Sequence, residues 1–379
     1  NLLYTKLFYK IKNKISLTTK GNNKMNILKA IGIITVVIGH TWSNVFAWFP
    51  TYSFHMALFM FISGYFFKYT DIKTFLIKKV KHLLLPLLLW NLFYGILVTL
   101  LINFEVVKFN ASLSFQSLVW YPLFGIGCPF YFNLPAWFVG TLLLVQIFYY
   151  FLFKTLDNRQ MIFGGVLLLL HFVALWIGFN KYQNFGDYFG LGMGRVLYFL
   201  IFYHFGYLYC KYFEKYDGFS FNKITFLAII NGIILGFVNN NITANIHLLD
   251  FPTHKQLLPL IVGCTGIWFY VLIADLLKDK IKENELLSYI GKNTFSIMMH
   301  HQFFFWLFNT FLLFLKNYHI FNLNTFNLEK YQTDIYFRIT AHYPTSDLFY
   351  ILCGIFGPLV CCYLYEKFKD KILNVKINM

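Results

Sequence analysis

Blocks of roughly 20 apolar residues recur along this chain, set apart by short lysine-rich segments. Residues 83–103, LLLPLLLWNLFYGILVTLLIN, form one such block and carry no charged side chain. In hydrocarbon every backbone N–H and C=O must be satisfied inside the protein, and a single apolar block achieves that only as a helix. The apolar residues fill these blocks rather than tracing a 3.6-residue stripe, so they do not describe one face turned toward a soluble core. With 58% hydrophobic and 13% charged residues, the chain also lacks the polar surface of a soluble domain of this length. The expected fold class is all-α, a polytopic membrane protein with about ten transmembrane helices. They are placed at 26–47, 52–69, 83–103, 134–153, 160–180, 190–212, 224–240, 256–277, 287–315 and 345–366. The ninth is too long for one straight crossing and is expected to tilt, break or continue past the membrane surface.

Charge orients the bundle. With the first segment inside, 25 Lys and Arg fall in segments on the inner side, six fall outside, and Arg195 lies within a span. This is the positive-inside bias, and it puts both termini in the cytoplasm. It also accounts for the 32 Lys and Arg against 16 Asp and Glu, so no nucleic-acid partner is expected. Residues 1–25 read as a basic cytoplasmic N-terminal segment, 26–366 as the transmembrane domain and 367–379 as a basic cytoplasmic tail. The N-terminal segment is too polar for a cleavable signal peptide, and because the chain opens on Asn a short preceding piece is expected. The six cysteines form no CxxC pair and lie mostly in apolar blocks, which makes them small hydrophobes rather than a disulfide framework. Of two long outer segments, 104–133 is expected to fold back over the outer face and 316–344 holds Glu329, Asp334, Arg338 and His342; long loops on one face are where substrates are commonly gripped.

Ionisable residues inside the spans are the candidates for chemistry. His40, in ITVVIGHTWSN, lies 14 residues beyond Asn26, or about 21 Å into the membrane along a helix. His300 and His301, in NTFSIMMHHQF, lie at nearly the same depth in the ninth helix. His55 stands close to the outer surface in the second helix, and Arg195 is five residues into the sixth. A lone intramembrane histidine is more often structural, but groups from four helices at similar depth point to a shared wet cavity. A neutral imidazole suits a general base for a hydroxyl, and an arginine suits developing negative charge. His171 and His204, both mid-span, read as interhelical hydrogen bonders. Ser63-Gly64 reads as close helix packing, and Trp137 and Phe138 as part of an interfacial aromatic belt. No metal site is expected: adjacent histidines point about 100° apart on a helix, and no HExxH or HxxxH pattern occurs.

Five stretches in order, NILKAIGIITVVIGH, FHMALFMFISGYFFK, PAWFVGTLLLVQ, GRVLYFLIFYHFGYLY and IGKNTFSIMMHH, resemble the acyltransferase-3 family of integral membrane acyltransferases. The resemblance is nearest to the branch of polysaccharide O-acetyltransferases and covers residues 24 to 366. It implies an enzyme of the bacterial inner membrane that moves an acyl group, usually acetyl from acetyl-CoA, to a hydroxyl of a cell-surface or capsular polysaccharide or its lipid-linked precursor. No permanently bound cofactor is implied. His40 matches the family's catalytic first-helix histidine, and His301 (with His300 as the alternative) the ninth-helix one. Arg195 would assist them, and His55 would contact substrate. Lys29 and the segment holding Lys78, Lys79, Lys81 and His82 would take the donor's phosphates, although positively charged inner-side segments also serve topology and anionic-lipid contact. The chain departs from the family in having Asn26 where an acid is usual, and Lys79 and His82 where two arginines are usual. The rival reading is a polysaccharide exporter or flippase with the same pattern. A membrane glycosyltransferase or polymerase would call for an acidic DxD-like motif, and none stands out.

Overall fold

The computed structural model describes residues 22–41, 51–109, 111–125, 130–180, 187–238, 249, 257–282, 285–320, 326–339 and 346–377. Among these residues the protein is entirely helical, without strands. The longer helices are α1 (Asn23–Gly39), α2 (Thr51–Tyr65), α3 (Ile72–Asn103), α4 (Trp137–Leu156), α5 (Gln160–Phe179), α6 (Asp187–Leu208), α7 (Phe221–Val238) and α8 (Leu258–Leu277). They continue with α9 (Leu286–Lys292), α10 (Thr294–Asn317), the short α11 (Leu328–Thr333) and α12 (Ser346–Ile377).

Five helical segments are long and apolar enough to cross a membrane: Ile72–Asn103, Leu134–Leu156, Gln160–Phe179, Leu258–Leu277 and Ser346–Lys369. The chain is thus a membrane protein. The helices that carry the candidate catalytic residues, α1, α6 and α10, are not among the five, whereas α3, with Lys78, Lys79, Lys81 and His82, is. In α10 the polar residues His300, His301, Gln302 and Asn309 are all buried, so this helix turns its polar face inward. In α3 and α12, by contrast, only 28% of the apolar window is covered by protein, which leaves these helices at the periphery of the bundle.

Several boundaries differ from expectation for local reasons. The first helix stops at Gly39, with His40 as its C-cap, not near residue 47; residues 42–50 lie outside the described residues. Thr41 turns its hydroxyl back onto the Ile38 carbonyl at 2.8 Å, offering the chain an alternative to another helical turn. The long ninth segment breaks at Asn293 into α9 and α10. The Asn293 side-chain amide donates to the Tyr289 carbonyl at 3.0 Å. The third helix begins earlier than expected and passes through a π-helical turn at Val80–Leu84. Pro86 has no N–H for the His82 carbonyl and crowds it, and a widened turn absorbs that mismatch. A second π turn at Gln116–Trp120 precedes Pro122 in the same way.

The buried residues form two large clusters. One gathers Phe54, Leu58, Trp137, Phe138, Tyr149, Phe163, Phe199, Phe202 and Tyr270 from α2, α4, α5, α6 and α8. The other gathers Tyr94, Phe130, Phe132, Ile297, Phe305, Trp306, Phe337 and Tyr350 from α3, α10, α12 and the segments that precede α4 and α12. Helix α1 divides them: Met25, Ile27 and Leu28 belong to the first, Ala30, Ile33, Val36 and Val37 to the second. His40 continues the 33, 36, 37 stripe by one turn, so it faces the second cluster.

Close backbone contacts lock α1 and α2 in place. An added Cβ on Gly64 would lie 1.8 Å from the Tyr203 carbonyl oxygen, and one on Gly206 1.8 Å from that of Phe61. The α2–α6 crossing is therefore possible only with glycine on both sides, as the Ser63-Gly64 pair suggested. Gly291 allows the same approach to α1, where a Cβ would lie 1.9 Å from the Asn26 carbonyl oxygen. The IGKN stretch is thus the seat on which the first helix rests.

Candidate active site

At the end of α1 the His40 ring lies against His301, with ring centroids 5.0 Å apart and planes tilted by 36°. His40 is partly exposed, whereas His301 is fully buried. Two of the predicted intramembrane histidines are therefore brought into contact from helices far apart in sequence. The His301 ring also meets Phe305, one turn along α10, at 5.7 Å. Its Nδ1 lies 2.9 Å from the Ile297 carbonyl oxygen. A carbonyl only accepts, so Nδ1 carries the hydrogen and Nε2 presents a lone pair. Nε2 has no hydrogen-bond partner among the described residues. A backbone carbonyl, not an acidic side chain, thus sets the tautomer of His301.

His300 points elsewhere. Its Nδ1 is 2.7 Å from the Tyr94 hydroxyl, and its ring packs edge-on against Trp90 at 4.3 Å. The 100° step between neighbours on a helix turns His300 to α3 and His301 to His40. His55 is buried on α2 with its ring edge-on to Phe54 at 6.5 Å. His171 and His204 are interhelical hydrogen bonders, as their sequence context indicated: Nδ1 of His171 meets the Tyr198 carbonyl at 3.0 Å, and that of His204 the Tyr149 hydroxyl at 2.9 Å.

Arg195 is fully buried. Its Nη1 donates to the Gly125 carbonyl at 2.7 Å, and its guanidinium sits 4.6 Å from the Trp137 ring centroid. Trp137 and Phe138 are therefore core residues, not members of an interfacial belt, because α4 is enclosed by its neighbours and Arg195 stacks on the indole.

The cationic residues form two groups. Lys29 on α1 extends over the Phe66 ring at 5.8 Å and feels the like charge of Lys292. Lys78, Lys81 and His82 are exposed on α3, and Lys79 lies over Phe75 at 5.1 Å. Among the described residues none of these lysines is in an ion pair, and no hydrogen bond or ring contact joins Lys29 to the α3 group.

The sequence reading did not single out Arg338. This residue of the segment between α10 and α12 is only 7% exposed. Its Nη1 donates to the Ile335 and Phe337 carbonyls at 2.8 and 2.7 Å, and its Nη2 to Gln302 Oε1 at 2.8 Å. The guanidinium lies 4.4 Å from the Phe305 centroid and 5.3 Å from that of Tyr350. Burial draws it below its ordinary range to about 10, which leaves it a cation at neutral pH. Tyr350 in turn donates to Asn309 Oδ1, and Asn309 Nδ2 donates to the Phe337 carbonyl at 3.0 Å. A signal was present in the sequence: the chain has three arginines, at 159, 195 and 338, against many lysines. In a lysine-rich chain an arginine marks a place where the planar fork matters.

Comparison with known proteins adds one match. A family model described as an acyltransferase domain, Acyl_transf_3, matches residues 22–367. No curated protein and no solved structure matches the chain.

Proposed function

The chain belongs to the acyltransferase-3 family of membrane acyltransferases, and we propose that it transfers acetyl from acetyl-CoA to a hydroxyl of a cell-surface or capsular polysaccharide or its lipid-linked precursor. The observation that carries this reading is the 5.0 Å contact between the His40 and His301 rings. One ring has a stated lone pair at Nε2, and the other stands partly open at the end of its helix. On this reading the enzyme lies in the bacterial inner membrane with ten spans, and the excess of Lys and Arg in alternate segments supports both termini on the inner side.

In the proposed reaction an imidazole of the pair, His40 at the open edge, removes the proton from the acceptor hydroxyl. The oxygen attacks the thioester carbonyl carbon, the carbon–sulfur bond breaks, and the CoA thiolate leaves with the proton that the imidazole took up. A relay through an acyl-imidazole at His40 divides the same transfer into two steps. The carbonyl end of α1 carries partial negative charge and favours the imidazolium formed on the way. Arg195 polarises the reacting carbonyl or holds the acceptor. His55 contributes to the acceptor wall. Lys29, Lys78, Lys79, Lys81 and His82 receive the phosphates of the donor on the inner side as point charges.

The test compares surface glycan from cells carrying the wild-type chain and His40→Ala by mass spectrometry. The expected result is loss of the acyl mass with glycan yield at the surface unchanged. Intact acylation with glycan retained inside would overturn the transferase reading and favour an exporter.

A further inference from the structure

Next to the histidine pair, α10 and the segment between α10 and α12 enclose polar atoms that have no partner. Arg338 Nε, Gln302 Nε2, Trp306 Nε1 and His301 Nε2 are all buried and without a hydrogen bond among the described residues. Unbonded buried nitrogens also occur singly, at His171, His204 and Asn231, whereas here three stand within residues 301–306 of α10 and the fourth belongs to the arginine that Gln302 binds. Buried polar groups are normally satisfied, so a cluster of this kind points to a ligand. Phe305 ties the cluster to the candidate catalytic pair, because Arg338 stacks on the ring that His301 also touches.

The donor count defines what the ligand offers. A guanidinium has five N–H hydrogens. Ile335 and Phe337 use both on Nη1, and Gln302 uses one on Nη2. Nε–H and one hydrogen of Nη2 remain, and both can donate to an oxyanion. Arg338 forms no ion pair among the described residues; Asp334 and Asp347 act on it only from beyond ion-pair distance. A buried cation without a counter-ion is costly, and a bound anion offsets that cost.

We propose that Arg338 and Gln302 form an oxyanion subsite beside His301 that holds a carboxylate or phosphate group of the acyl acceptor. This rests on the acyl-transfer reading above. The site selects an acidic sugar or a phosphate-bearing lipid-linked sugar, and it presents a hydroxyl of that molecule to the histidine pair. Trp306, buried with its indole N–H unused, supplies a further donor to the same ligand.

The test is equilibrium binding to the purified full chain of two probes that share one ring, methyl glucuronide and methyl glucoside, with inorganic phosphate as competitor. Wild type is expected to bind the glucuronide about 10–100-fold more tightly, the range for hydrogen bonds to a charged group. Arg338→Gln removes the preference and leaves glucoside binding unchanged, and Arg338→Lys keeps part of it. If Arg338→Gln does not fold, Gln302→Glu serves instead: it supplies an internal carboxylate that occupies the guanidinium edge and also removes the preference. Phosphate competition without a glucuronide preference assigns the oxyanion to a phosphate. Equal binding of both sugars without phosphate competition, or a preference that survives Arg338→Gln, overturns the subsite. Binding preference without any acyl transfer would remove the reaction but keep the site. Transfer to sugars without the preference would do the reverse.

Discussion

The two ends of α1 treat their buried polar groups in opposite ways. At the Asn23 end, Lys24 donates to the Tyr209 hydroxyl at 2.7 Å and pairs with Asp275 at 3.2 Å. Asp275 also binds Lys278 at 2.8 Å and the Phe219 N–H at 2.9 Å. Asn23 donates to the Lys278 and Ile281 carbonyls. Both lysines of this clasp share the Asp275 carboxylate, and Asn23 Oδ1 is its one buried side-chain atom without a hydrogen-bond partner among the described residues. At the His40 end, His301, Gln302, Trp306 and Arg338 each keep a donor or acceptor in reserve, and Arg338 has no counter-ion among the described residues. A satisfied network rigidifies a fold, while an unsatisfied one costs stability unless something else binds there. The first end therefore reads as the anchor of α1 and the second as its working end.

Substitutions at the two ends should separate function from stability. The largest effect is expected for His40→Gln or His301→Gln, with acyl transfer by the purified protein falling about 10²–10⁴-fold, the usual worth of general acid–base catalysis. Thermal unfolding should remain near wild type. If the two residues act as one unit, the double variant should lose little more than either single one, and additive losses would break the pairing.

Asp275→Asn should show the converse. It leaves Lys24 buried without its counter-charge, a loss of about 3–5 kcal/mol for a buried pair, read as a lower midpoint of thermal or denaturant unfolding. Transfer per folded molecule should be nearly unchanged. A large loss of specific activity without loss of stability would move the Asn23 end into the catalytic machinery.

The smallest effect is expected for Tyr94→Phe, which removes the single hydrogen bond to His300. About 1 kcal/mol of stability should be lost, with little change in transfer rate. A fall in transfer comparable to that of His301→Gln would mean that His300, not its neighbour, is the working histidine.

Much of this architecture could be read along the chain. The apolar blocks specified helices because no other structure satisfies a backbone in hydrocarbon, and helices occupy each of the ten predicted segments. The break at Asn293 resolved the overlong ninth block, and the shortened α1 moved His40 from mid-helix to a helix end. Counting residues along the helix axis put His40 and His301 at one depth, and their rings meet. Depth alone could not choose between His300 and His301. That choice depends on rotation about α10, which is set by Gly291 seating α9 on Asn26 and by the packing of α10 against α12.

Arg338 was the least legible residue. Nothing in its local sequence distinguishes a buried arginine from a solvated one, because beyond the neighbouring Ile335 and Phe337 carbonyls its partners Gln302, Phe305 and Tyr350 lie on α10 and α12. The sequence by itself determined that this chain is helical, membrane-embedded and of the acyltransferase-3 pattern, since those properties follow from local hydropathy and short ordered motifs. Only the tertiary structure decided which histidine faces which, that Trp137 carries Arg195, and that Arg338 is buried beside the pair. These are matters of helix rotation and loop placement, fixed by long-range packing that no local stretch of residues encodes.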